Sequence, residues 1–241
     1  MRFPLAPAGW REMFILTVLL GGSGAAALTF AARGVAVLWP VGIVLLLAWI
    51  AGLLFFRDPE RSTPTDAGLL VAAADGKIDE ITHLDAYDGI SGPATRVATF
   101  LSVLDVHINR SPCSGVVRDV RYKPGKFLDA RDPDCGRLNE ANTIVIDPDA
   151  PHAGPIVVRQ IAGLIARRIG CNVKPRDRVE VGQRIGLIKF GSRTEIIVPG
   201  HDTYEIAVKV NDRATGAMTI LARRAKATTT DAEQEASVQH A

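Results

Sequence analysis

The sequence predicts a mainly β soluble domain, with some α, preceded by an α-helical transmembrane hairpin. Three observations carry that prediction: two long uncharged apolar stretches near the N-terminus, a series of short β-prone runs after them, and Gly, Pro and Asp clustered between those runs. At 241 residues the chain has room for one domain and an appendage. A formal charge of +2 gives no reason to expect nucleic acid as a partner. Cys113, Cys135 and Cys171 are odd in number and lack metal-finger spacing, which argues against a disulfide framework or a zinc site.

Met13–Ala32 ("MFILTVLLGGSGAAALTFAA") and Val35–Phe56 ("VAVLWPVGIVLLLAWIAGLLFF") carry no charged residue. Each reaches the roughly 20 residues that a helix needs to cross the hydrocarbon core. Only helices satisfy their own backbone groups there, so strands and loops are excluded as single spans. The Arg33-Gly34 connection forces an antiparallel pair whose outer ends share one side of the bilayer. Arg2, Arg11, Arg57 and Arg61 flank those ends, against Arg33 alone in the connection. The positive-inside rule then places the N-terminus and everything after Phe56 in the cytoplasm, at the plasma or inner membrane. Two other readings fit the first stretch: a signal peptide, or a re-entrant hairpin loosened by its glycines and Pro40.

The expected boundaries are a hairpin over 1–56, a linker over 57–68, a β domain over 69–225 and a disordered tail over 226–241. "RDPERSTPTDAG" has the composition of a linker. β-prone runs cover Leu69–Ala73, Arg96–Val103, Gly115–Val120, Thr143–Ile146 and Pro155–Ile161, followed by Ile185–Phe190 and Ile196–Val198. Val157–Ile169 fits helical spacing almost as well as strand alternation. The tail lacks large apolar residues apart from Val238, a composition that does not support a core. A faint repeat links "VKPRDRVEVGQRIGLI" from Val173 with "VKVNDRATGAMTILA" from Val208. That strand, turn, strand unit resembles the half-motif of biotinyl and lipoyl carrier domains and suggests a barrel-sandwich-like fold. Neither half holds the modified-lysine tripeptide of a carrier.

Three stretches carry chemistry-bearing residues: Asp75 in "VAAADGKIDEI", His107 with Asp105 and Arg110 in "TFLSVLDVHINRSPCSG", and Ser192 in "KFGSRTEIIVPG". Each has a bland reading: a turn Asp-Gly, a core histidine, a turn serine. Together an Asp, a His and a Ser are the parts of an activated nucleophile. No GxSxG elbow, Walker loop, dinucleotide fingerprint or HExxH is present.

In chain order, "FFRDPER", "AADGKI", "FLSVLDVHINRSPCSG", "IAGLIARRI" and "IGLIKFGSRTEIIVP" resemble the short form of phosphatidylserine decarboxylase, over about Phe55 to Leu221. The resemblance implies self-cleavage between Gly191 and Ser192, with residue 192 becoming a pyruvoyl group and no metal or pyridoxal phosphate needed. Residue 192 would then form a Schiff base with phosphatidylserine and release carbon dioxide and phosphatidylethanolamine, a step of phospholipid biosynthesis. It further implies that fragments 1–191 and 192–241 stay together as a heterodimer, with higher oligomers left open. His107 matches a proton-transferring His and Asp75 an Asp that orients a base. Longer relatives carry a second His where this chain has Arg110, which suits a substrate anion or a structural ion pair. Two rival readings remain: the same chemistry on archaetidylserine, and a membrane-tethered adaptor that never cleaves.

Overall fold

A computed structural model describes residues 5–164, 169–189 and 191–225. The tail expected over 226–241 lies outside the described residues. Two apolar helices, Pro7–Ala32 and Leu38–Phe55, are each long and apolar enough to cross a membrane. They pack through small residues. A Cβ on Gly24 would lie 2.9 Å from the Leu46 side chain, and one on Gly42 would lie 2.5 Å from Leu28, so glycine at both sites permits the close approach. Trp49 Nε1 adds a 3.1 Å hydrogen bond to Thr17 Oγ1 across the pair. The glycines that looked like loosening elements are the helix–helix contact.

The rest is mainly β. The strands are β1 (Leu69–Val71), β2 (Gly76–Leu84), β3 (Ala94–Leu101), β4 (Ile108–Arg110), β5 (Gly115–Lys123), β6 (Ala141–Pro148) and β7 (Ile156–Ile161). They continue as β8 (Ile169–Cys171), β9 (Arg178–Val179), β10 (Arg184–Ile188), β11 (Ser192–Pro199), β12 (Tyr204–Ile206), β13 (Arg213–Ala214) and β14 (Ile220–Arg224). An eight-stranded antiparallel sheet runs β13-β2-β3-β11-β7-β6-β5-β9 and curls into a half-barrel. Two three-stranded sheets, β1-β14-β12 and β4-β10-β8, accompany it. The largest core cluster draws Leu70, Ile78, Ile144, Ile156, Ile185 and Leu221 from all three sheets. The ambiguous Val157–Ile169 stretch is strand up to Ile161. The β2 strand, whose exposed and half-buried polar residues gave no alternation, was not legible in the sequence.

The faint repeat is real in three dimensions. In one half Lys174 N donates to Asp177 Oδ2 at 2.9 Å, and Arg176 takes a positive φ of 76°. In the other Lys209 N donates to Asp212 Oδ2 at 2.8 Å, and Asn211 takes φ 81°. Each turn then closes on a strand in the same way: Arg176 N and Asn211 N donate to Val117 and Ile78 carbonyls, both at 2.7 Å. The bulges fall at equivalent places, Val117/Asp119 in β5 and Ile78/Glu80 in β2. The sheet order is therefore palindromic about the β11–β7 pair. That is the barrel-sandwich relationship the sequence hinted at, built by an Asp that holds its own turn.

The segment read as a linker is strapped to the domain. Asp58, buried, accepts from Arg110 Nη2 at 3.1 Å and Arg184 Nε at 2.6 Å. Arg184 also holds Glu60 at 3.0 Å, and Arg61 pairs with Asp75 at 2.8 Å. Removing one partner of a buried ion pair leaves the other charge uncompensated and costs about 3–5 kcal/mol. Asp58→Ala should therefore lower the unfolding free energy of the full chain in detergent by that order, with a lower urea midpoint as its readout. A midpoint unchanged from wild type would show that the strap does not stabilise the fold.

Candidate active site

Ser192 opens β11, the strand paired with β3 on one side and β7 on the other. Its backbone neighbour across the β3 pair is Leu101, and its side chain is fully buried. Among the described residues its Oγ has no hydrogen-bond partner. A buried hydroxyl left unpaired costs free energy and calls for an explanation. Gly191, just before it, sits at φ +58°, a region that disfavours a side chain. The Gly191 carbonyl oxygen lies against Gly163: a Cβ on Gly163 would overlap it and would sit 3.3 Å from Ala130 Cβ. Glycine at 163 therefore leaves the place where that carbonyl rests. Beside Gly191 opens a cavity of 360 Å³ walled by Phe100, Val103, Ala130 and Leu164.

His107 lies in the short segment between the turn and β4. Backbone pairing carries it to the approach of the Gly-Ser peptide: Ile188 N donates to its carbonyl at 3.2 Å, and Ile188 ends the strand before Gly191. Nδ1 lies 2.9 Å from the Asp105 carbonyl oxygen, which can only accept, so Nδ1 carries the proton. Nε2 is then a bare lone pair, buried and without a partner among the described residues. Burial pushes the imidazole pKa down to about 4, against smaller upward pulls from the Asp105 carbonyl and carboxylate. The ring is neutral at cellular pH. Phe55, the last residue of the second apolar helix, packs against it with centroids 4.3 Å apart and the rings tilted by 41°.

Asp75 is not brought to His107. It closes the turn before β2, where its carboxylate takes Arg61 Nη2 and Gly216 N, both at 2.8 Å. Lys77 lies opposite Phe100, and Phe100 opposite Arg193, so Asp75 sits at Ser192's end of the sheet but two strands away. At about 4.8 Å per strand that is roughly 10 Å of backbone separation. Arg110 points to the strap, with donors on Asp58, on Pro59 O at 2.9 Å and on Gly182 O at 3.1 Å.

Sequence reasoning missed a buried amide chain. Asn142 Nδ2 donates to Gln160 Oε1 at 2.9 Å, Gln160 Nε2 to Asn109 Oδ1 at 2.8 Å, and Asn109 Nδ2 to Thr194 Oγ1 at 2.9 Å. It ties β6, β7, β4 and β11 together two residues past Ser192. It missed Glu195 too, fully buried and held by Arg193 at 3.2 Å and Arg159 at 3.4 Å, with Arg96 at 3.9 Å. The available signal was polar residues at inward positions of apolar strands. Cys113 is buried, and burial raises its thiol to about 12, which leaves it unreactive. Among the described residues no group of three or more His, Cys, Asp or Glu is placed to hold a metal ion.

Fold and site define a class: a curled β domain that holds a buried serine and a buried histidine, with the second apolar helix ending on the histidine ring. The family profile of phosphatidylserine decarboxylase matches residues 52–222. Among curated relatives, the phosphatidylserine decarboxylase proenzyme of Solidesulfovibrio magneticus is 43% identical over 78% of this chain and 86% of its own. That of Gluconacetobacter diazotrophicus is 45% identical over 71% and 76%, and that of Carboxydothermus hydrogenoformans 37% identical over 89% and 95%. The chain belongs to the phosphatidylserine decarboxylase family.

Two outcomes are expected. Below pH 6.5 an unfolded His107 takes a proton that the folded one refuses until about pH 4, so the unfolded chain holds more protons in that window. Stability should therefore fall as pH drops through it, by on the order of 3 kcal/mol from this residue. Denaturation of His107→Asn across the same pH series should show a flatter profile; an identical slope would remove His107 as the cause. Gly163→Ala should crowd the Gly191 carbonyl and lower the urea midpoint below that of wild type; an unchanged midpoint would show that the carbonyl does not rest there.

Proposed function

We propose that the chain cuts itself between Gly191 and Ser192 and then converts phosphatidylserine to phosphatidylethanolamine and carbon dioxide. The observation that carries this reading is the pair of buried, unpartnered groups, Ser192 Oγ and His107 Nε2, on segments joined by backbone pairing. Ser192 Oγ bonds to the Gly191 carbonyl carbon, the C–N bond breaks, and the hydroxyl proton passes to the freed amine. The neutral imidazole is the base closest in chain pairing, and its bare Nε2 suits a proton in transit. Loss of the Ser192 α-proton then breaks the Cβ–O bond, freeing a Gly191 carboxylate. Water replaces the resulting enamine nitrogen as ammonia and leaves a pyruvoyl group at 192.

The site fits that group. The Ser192 side chain is buried, its Oγ takes no partner among the described residues, and the cavity beside Gly191 offers space for a substrate. When formed, the group supplies an electron sink for decarboxylation. The chain's residues exclude water, hold the proton-carrying imidazole and fix β11. Ion pairs of Arg193 with Asp79 and Glu80 and of Glu195 with Arg159 and Arg96, and pairing to β3 and β7, would keep the small fragment seated as a heterodimer. Asp75 and Arg110 serve in this reading by holding the strap, Asp75 through Arg61 and Arg110 through Asp58. The arginine flanks of the paired helices support the cytoplasmic face of the cell membrane as the domain's location in this reading.

Intact mass under denaturing conditions should show Met1–Gly191 and a fragment starting at residue 192, the latter without a free N-terminal amine. Ser192→Ala should remain one chain and release no carbon dioxide. A single full-length species in a preparation that decarboxylates phosphatidylserine would sink the mechanism.

A further inference from the structure

The turn between β3 and β4, Ser102–Asp105, presents two large apolar side chains to the outside of the β domain. Leu104 is 80% exposed and Val103 48%. Leu164, on the neighbouring loop after β7, is 63% exposed. Val103 and Leu164 both line the cavity that reaches Gly191, and Leu104 sits next to Val103 in the turn. The turn is a built feature: Asp105 Oδ2 accepts from Ser102 N at 2.8 Å and from Ser102 Oγ at 2.7 Å, and Arg213 pairs with its other oxygen at 2.8 Å. Three carboxylate contacts thus hold a tight turn whose tip is apolar and unburied. Fold stability gives no reason to expose a leucine there.

What covers this tip follows from the hairpin. Arg57, directly after the second apolar helix, donates to Leu54 O at 3.0 Å and also to Leu104 O. The tip is therefore tied to the last turn of a helix whose outward side chains, Leu47, Ile50 and Leu54, are themselves exposed. A cationic residue at the end of a membrane-length helix marks the headgroup level. Val106 and Ile108, just beyond the turn, pack with Phe55 and Phe56 in one cluster, which fixes the turn against the helix end. The Arg131 guanidinium, 5.9 Å from the centroid of the Phe100 ring, lies at the cavity rim beside Asp129, with which it pairs at 2.7 Å.

We infer that Val103, Leu104 and Leu164 form a lip that inserts into the bilayer interface, so that the cavity beside Gly191 opens into lipid and not into water. The inference rests on the proposed lipid substrate and adds the route by which it reaches the site. A two-chain lipid then moves to residue 192 without its acyl chains crossing water. The lip and hairpin form one continuous surface, which favours the bilayer over a second copy of the chain as its occupant.

The test uses the full chain, one copy per lipid nanodisc, with Leu104→Cys carrying a polarity-sensitive fluorophore. Cys113 and Cys135 are buried, and Cys171→Ser removes the more accessible thiol. Quenching by lipids bearing a nitroxide near the headgroup is expected at Leu104 and not at Tyr122→Cys, an exposed site on β5, four strands from β3. No quenching at Leu104 overturns the lip, as does equal quenching at both sites. A blue-shifted but unquenched label, with dimers in detergent, assigns the patch to a second copy and also overturns it. In parallel, Leu104→Asp should cut turnover of phosphatidylserine in vesicles by about tenfold, the size expected for keeping one leucine side chain out of an apolar phase. Self-cleavage and turnover of a short-chain, water-soluble analogue should match wild type. An unchanged vesicle rate overturns the lip, whereas loss of both substrates in the wild type would instead strike the proposed reaction. The quenching result stands apart from activity, so the two failures are distinguishable.

Discussion

The buried carboxylate of Glu195 fixes the strand on which the site is built. It lies at the middle of the eight-stranded sheet with no exposure, held by Arg193, Arg159 and Arg96 from β11, β7 and β3. A charge there is tolerable only if β11 keeps its register against β7 and β3, because a one-residue slip would turn it to the other face, away from Arg159 and Arg96. The Asn142–Gln160–Asn109–Thr194 chain adds a second lock on the same strand, from the opposite side of the register. With Thr194 and Glu195 pinned, Ser192 falls at the strand's start and Gly191 in the turn before it. The position of the Gly-Ser peptide is therefore set by polar groups that touch neither residue.

The same logic explains why the histidine is neutral. Phe55 covers the imidazole, and burial outweighs the pull of the Asp105 carbonyl and carboxylate. A hydrophobic helix end thus does two jobs: it closes the domain beside the site, and it keeps a proton acceptor uncharged. The strap following it, through Asp58 with Arg110 and Arg184, holds that helix end in place. In longer relatives a second histidine is expected where Arg110 stands. Here the arginine is spent on the strap, and Asp75 on Arg61.

The sequence by itself determined a good deal. Uncharged apolar runs can only be helices in lipid, so the hairpin was legible. β-branched runs punctuated by Gly, Pro and Asp gave β1, β3, β5, β6, β7, β10 and β11. The Asp turns of the repeat were visible because an Asp side chain that caps its own turn leaves a fixed local spacing. The Gly-Ser pair stood out because a small nucleophile after the most permissive residue is a local signal. What tertiary structure decided was everything set by distant partners. Whether Asp75 meets His107 or Arg61, whether Arg110 faces substrate or strap, and whether His107 is charged depend on groups far along the chain. Gly163 became meaningful only when its backbone was found against the Gly191 carbonyl. Local spacing encodes turns and spans, whereas charge state and hydrogen-bond partnership are settled by packing between segments that the sequence order does not place side by side.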